Sequence, residues 1–107
     1  MLPKKNRITA PQDFTLTMRK GKRVHTPAVT IFIRKRDDDV TRYGFIITKK
    51  TGNAITRNKL KRQLREIAYA HSLTATTGAD IIMKANLGTG ETTWDELNAS
   101  ILRKLTK

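Results

Sequence analysis

Thr48-Lys49-Lys50-Thr51-Gly52-Asn53-Ala54-Ile55-Thr56-Arg57-Asn58-Lys59-Leu60-Lys61-Arg62-Gln63-Leu64-Arg65-Glu66 is the most informative stretch of this chain. Between Lys49 and Arg65 it carries seven basic residues and no acidic one. With a helix starting near Ala54, Leu60, Leu64 and Ile67 share one stripe, and Arg57, Asn58, Lys61, Arg62 and Arg65 fall on the adjacent one. Basic residues one turn apart repel by a few tenths of a kcal/mol per pair, so such clustering needs a compensating partner. Phosphates, which release counterions when neutralised, are one. The plainer alternative is a solvated face built from good helix formers. An ordinary solvated face intersperses acids, whereas here the first, Glu66, arrives only when the stripe is complete. Physical chemistry alone carries this stretch as far as a nucleic-acid-binding helix.

The whole chain supports a polyanionic partner. It has 107 residues, enough for one domain with one core (1–107), and 22 Lys plus Arg against 9 Asp plus Glu, a formal net charge of +13. Apolar residues make up 37% and fall in periodic runs, so a fold is expected. Cysteine is absent, which excludes disulfide partners and thiolate metal sites. Met1-Leu2-Pro3-Lys4-Lys5-Asn6-Arg7 leads into no apolar stretch of the signal-peptide kind. The longest apolar run, Phe45-Ile46-Ile47, falls far short of the roughly 20 residues that span a bilayer. A soluble, cytoplasmic protein is expected; by charge alone, a membrane surface is the other conceivable anionic partner.

Upstream, Thr9 with Gln12 resembles a capping box, Pro11 suits a first turn and Gly21 a stop, predicting a helix over about Ala10 to Lys20 with Phe14 and Met18 on one face. Val29 to Ile33 alternates like a strand. Tyr43 to Thr48 reads as a second strand, most economically joined to it by a hairpin with Asp37-Asp38-Asp39 at the turn. A metal on these aspartates is disfavoured because adjacent side chains on an extended chain diverge, and Arg34, Lys35, Arg36 and Arg42 balance their charge. Downstream, Ala79 to Ala85 reads as a buried strand. Gly88 and Gly90 then break the chain, and Thr93, three residues before Glu96, opens a last helix with Trp94, Leu97, Ile101 and Leu105 against the sheet. Trp94 belongs to this apolar stripe as core or core rim, and Arg103, Lys104 and Lys107 suit the helix C-terminus.

The segment from Thr48 to Glu66, built around Arg57-Asn58-Lys59, resembles the signature of the bacterial ribonuclease P protein component. Asp13-Phe14, Gly21-Lys22, Arg42-Tyr43-Gly44 and Gly78-Ala79-Asp80-Ile81-Ile82 match other parts of that family in order, so nearly the whole chain is covered. The resemblance implies an α/β fold, an α+β two-layer sandwich of order α-β-β-β-α-β-α. Its four-stranded sheet would carry a left-handed βαβ crossover, against the usual hand. It implies the protein subunit of an endoribonuclease that removes the 5′ leader of precursor tRNA, with the RNA subunit carrying the chemistry and most of the bound Mg²⁺. Ribonuclease P RNA and precursor tRNA are the implied partners. Position by position, it assigns Asn53, Arg57, Asn58, Lys59, Lys61, Arg62 and Arg65 to the RNA subunit, and Phe14, Met18, Phe32 and Lys50 to the leader. Aromatic faces suit leaders of variable sequence, because any base can stack on them, although a mid-strand Phe32 is almost as readily core. Met18 stands where the family often has a second aromatic, offering softer thioether contact. Thr48, Thr51 and Tyr43 also depart from its usual residues.

A catalytic site within the chain is hard to assemble. Metal nucleases need converging carboxylates, and His25 and His71 fall in different surroundings, His71 near a helix C-terminus that would favour its cation. No catalytic or metal-binding residue is therefore assigned. Two other classes compete: a non-catalytic RNA-binding or ribosome-associated protein, which makes the Lys49 to Glu66 match coincidence, and an autonomous nuclease, against which the scattered carboxylates argue.

Overall fold

Alternation along the strands gives the sheet two unlike faces. In the computed structural model, which describes residues 2–75, 77–86 and 93–105, α1 (Pro11–Lys20), β1 (Lys22–His25), β2 (Val29–Lys35), β3 (Arg42–Ile46), α2 (Ala54–Ser72), β4 (Ala79–Ala85) and α3 (Trp94–Leu105) follow in that order. Single 3₁₀ turns at Lys4–Asn6 and Lys49–Thr51 precede α1 and α2. The strands lie in the order β1-β2-β4-β3, with β1–β2 and β2–β4 antiparallel and β3–β4 parallel. Val29, Ile31, Tyr43, Ile81 and Met83 point to one face, where Leu60, Leu64, Ile67 and Ala68 of α2 and Leu97 and Ile101 of α3 bury them. Phe32 and Ile82 point to the other, beneath α1, with Ile8, Phe14, Met18 and Ile46. The basic helix and the sheet thus form the main two-layer core, and α1 covers part of the opposite face.

Tyr43 to Thr48 does form a strand up to Ile46, but not a hairpin with Val29–Lys35. β4 lies between them, paired with β2 from Val29↔Ala85 to Lys35↔Ala79 and with β3 from Arg42↔Asp80 to Ile46↔Lys84. The physical reason is burial: Ile81-Ile82-Met83 is apolar on both faces and belongs at the centre, which a β2–β3 hairpin would deny it. The hairpin in fact joins β1 to β2; β1 is short and largely exposed, so its sequence Lys22-Arg23-Val24-His25 carries little strand signal.

The Thr9–Gln12 capping box also does not form. Ala10 is the N-cap of α1, with no side-chain hydrogen bond, and Pro11 opens the helix. Gly21 ends it as expected, for a steric reason: a Cβ there would stand 2.5 Å from the Thr17 carbonyl oxygen and 2.8 Å from that of Ile33. Thr93 caps α3 as read, its Oγ1 accepting from the Glu96 N–H at 3.3 Å, and Trp94 is half-buried against the main core. Gly88, Gly90 and Lys107 lie outside the described residues.

Candidate nucleic-acid interface

The start of α2 is set by Asn53, whose Oδ1 accepts from the Thr56 N–H at 2.9 Å, so this RNA-contact candidate is also the helix N-cap. Lys50 is exposed in the preceding turn. With Leu60, Leu64 and Ile67 anchoring the helix, Arg57, Lys61, Arg65, Asn58 and Arg62 succeed one another around the shoulder that overhangs β3. There they border two adjoining hollows. The larger, about 530 Å³, also involves Leu2, Arg7 and Tyr69; the smaller, about 180 Å³, involves Ile47; Phe45 and Asn58 line both. Lys59, by the same 100° step, stands on the other shoulder, exposed and away from both hollows.

The cations of this shoulder differ from those elsewhere. Asp80, fully buried, is held by Arg42 through Nε and a terminal nitrogen at 2.8 Å each, by Arg34 at 2.9 Å and by Arg36 at 3.4 Å. Burial pushes the Asp80 carboxyl up, but the Arg42 hydrogen bonds and the charges of Arg42, Arg36 and Arg34 outweigh it and hold the group below its ordinary value. Arg36 also pairs with Asp38 at 2.7 Å, and Arg42 lies 3.4 Å from Asp13. The Asp38 carboxyl is lowered to about 2, chiefly by its Arg36 hydrogen bond. The arginines expected to balance the aspartate run are thus divided: Arg34 and Arg42 serve Asp80, and Arg36 bridges both sites. An acid directly ahead of the apolar run Ile81-Ile82-Met83 was the available signal for this knot. By contrast, no ion pair among the described residues involves Arg57, Lys61, Arg62 or Arg65. The Arg57 Nε is buried without a hydrogen-bond partner.

A second surface lies under α1. The Phe14 ring rests on Gly44, where a Cβ would come within 2.6 Å of it, so glycine permits this close approach. Phe14 and Met18 are half-buried, whereas Phe32 is 4% exposed and packs with Ile8 and Ile82, with the Arg23 guanidinium 5.5 Å from its ring centroid. Phe32 is therefore a core residue, capped at its rim by a cation. The two candidate surfaces lie on opposite faces of the sheet.

His71 departs from expectation. Its Nδ1 lies 2.5 Å from the Tyr43 hydroxyl, with the rings edge to face, and burial lowers its pKa instead of the helix end favouring its cation. Burial correspondingly pushes the Tyr43 hydroxyl up. The pair ties β3 to the last turn of α2. Among the described residues no group of three or more His, Asp or Glu is placed to hold a metal, and no helix is long and apolar enough to cross a membrane.

Fold and surface together define a small α+β fold with a cationic helix shoulder and a separate apolar cluster beneath α1. The family model described as Ribonuclease P matches residues 2–107. The chain is 35% identical over 108 residues to the ribonuclease P protein component of Clavibacter michiganensis subsp. michiganensis, covering 100% of this chain and 96% of that one. The structure of the Staphylococcus aureus RNase P protein superposes with a TM-score of 0.85 at 30% identity, covering 96% of this chain and 94% of that one. The Thermotoga maritima RNase P protein in complex with 1-(4-fluorophenyl)-2-thiourea gives 0.85 at 28% identity, covering 94% and 98%. The chain belongs to the ribonuclease P protein family.

Proposed function

We propose that this chain binds ribonuclease P RNA through the β3-facing shoulder of α2, and that the assembled particle removes 5′ leaders from precursor tRNA in the cytoplasm. The observation that carries this reading is the set of cations Arg57, Lys61, Arg62 and Arg65, none of them ion-paired among the described residues while the arginines around Asp80 are neutralised. Such a face lowers its self-repulsion by taking up phosphates. Catalysis belongs to the RNA subunit with its Mg²⁺; Asp13, Asp38 and Asp80 are engaged as counterions to arginine. The cleft beside Phe14 and Met18, with Lys50, receives the leader, while Phe32 supports its floor.

The test is cleavage of a precursor tRNA by the protein alone, by a bacterial ribonuclease P RNA alone, and by both at low Mg²⁺. Efficient cleavage at the mature 5′ end by the mixture only is the expected result. No gain over RNA alone would reduce the chain to a general RNA-binding module, and cleavage by protein alone would make it a nuclease. Phe14→Ala is expected to spare binding of the RNA subunit while narrowing the difference in affinity between precursor and mature tRNA; equal loss of both would make Phe14 purely structural.

A further inference from the structure

The shoulder of α2 is not a plain cationic surface. Phosphate contacts along a duplex require only protruding charge, yet here the cations border a recess with an apolar lining: Phe45 from β3, Ile47 just beyond its end, Leu2 from the N-terminal segment and Tyr69 from α2. β3 is an edge strand. Its outer side is met at Tyr43, which makes a parallel bridge with Arg7 and accepts from the Ile8 N–H at 2.9 Å. Beyond that point no strand covers Phe45 or Ile46 among the described residues. Tyr69 is 37% exposed, one of three large apolar side chains left open to solvent among the described residues.

We infer that the groove between the free edge of β3 and α2 is a binding site for a short single-stranded segment of RNA, with at least one unpaired base laid against Tyr69 and Phe45. Arg62, Arg65 and Arg7 border the wider hollow where that base enters, and Arg57 and Lys61 border the narrower one along the path of the backbone. The width favours a single strand: 530 Å³ accepts a nucleoside-sized group but not a helix, and an aromatic lining serves bases freed from pairing. Arg57 and Lys61 beside the narrower hollow carry no ion pair among the described residues, so their charges are available to a phosphate. Asn58 and Glu66 at the rim offer acceptors to base amino groups. This inference rests on the proposed binding of an RNA subunit and narrows it to an unpaired element of that RNA, distinct from the leader cleft on the opposite face.

The experiment is an NMR titration of the isotope-labelled full chain with a single-stranded uridine hexanucleotide and, separately, with a short blunt RNA duplex. The single strand is expected to shift the amides of Phe45, Ile47, Asn58 and Tyr69, and the duplex to leave Phe45 and Ile47 unmoved. Tyr69→Ala should weaken hexanucleotide binding at these residues about 5- to 160-fold, with Tyr69→Phe close to the parent, as loss and retention of one stacking platform require. Shifts confined to the α1 face, equal shifts from the duplex, or a Tyr69→Phe variant as weak as Tyr69→Ala would each overturn it. Cleavage in the reconstitution assay with a silent groove would sink this inference and leave the proposed function standing. Occupancy of the groove without activation of ribonuclease P RNA would do the reverse.

Discussion

Removing two exposed cations from α2 should change how RNA affinity depends on salt, by an amount that can be worked out beforehand. Arg62 and Arg65 are exposed and without ion pairs among the described residues, so Arg62→Ala with Arg65→Ala leaves the core untouched and slightly relieves repulsion along the helix. Each phosphate contact contributes about 0.7 to 0.9 to the slope of log K against log salt, depending on whether the RNA is single- or double-stranded. Loss of both therefore flattens the slope by about 1.4 to 1.8. At ~0.15 M monovalent salt the same contacts correspond to an affinity loss of roughly 15- to 30-fold, shrinking towards none near ~1 M. Fluorescence anisotropy with ribonuclease P RNA, over a series of potassium concentrations at constant divalent ion, measures both quantities. Lys59→Ala is the internal control: on the other shoulder, it should move the slope by less than half as much as either arginine alone. A weakened double variant with an unchanged slope, or a Lys59→Ala effect equal to that of Arg62→Ala, would refute the assignment of phosphate contacts to the β3 side.

Three further outcomes follow from the interior. Asp80→Asn leaves three arginines around a neutral amide, and with their side chains 20–26% exposed and able to regain some water, the loss should be about 2–4 kcal/mol in urea unfolding; a loss below about 1 kcal/mol would show that the knot is dispensable. Gly44→Ala drives a methyl group to 2.6 Å from Phe14 and should cost about 1–3 kcal/mol while impairing precursor over mature tRNA discrimination, since α1 has to lift; unaltered discrimination would detach the α1 cleft from leader binding. Burial depresses the His71 pKa in the folded state, so the unfolded chain takes up its proton first and stability falls as pH drops below about 6.5, levelling once the folded histidine titrates. Melting curves from pH 7.5 to 5 should show that fall, and His71→Gln should lessen it; identical pH profiles for the two proteins would remove His71 as its source.

Much of the candidate site was legible because it is written locally. The delayed arrival of Glu66, the helix start near Ala54 and the 3.6-residue spacing of Leu60, Leu64 and Ile67 all belong to one helix, where geometry follows from sequence separation. Phe14 and Met18 were placed on one face by the same rule, and both join the cluster under α1. The groove was not legible, because Arg7, Phe45 and Tyr69 come from three segments that meet only when the edge of β3 is set beside α2. Nor was the fate of His71, whose place in the helix favours a cation but whose neighbour across the layers, Tyr43, buries it.

By itself the sequence determined that this is a basic chain with a helix carrying one packing stripe and one cationic stripe, since charge balance and periodicity are properties of consecutive residues. It also determined the family, through the run from Thr48 to Glu66. Only the tertiary structure decided that β4 separates β2 from β3, that Asp80 gathers Arg34, Arg36 and Arg42, and that Phe32 is core. Strand order is settled by competition for the buried centre of a sheet. The winner depends on which faces the helices can cover, a comparison among distant segments that no local pattern contains.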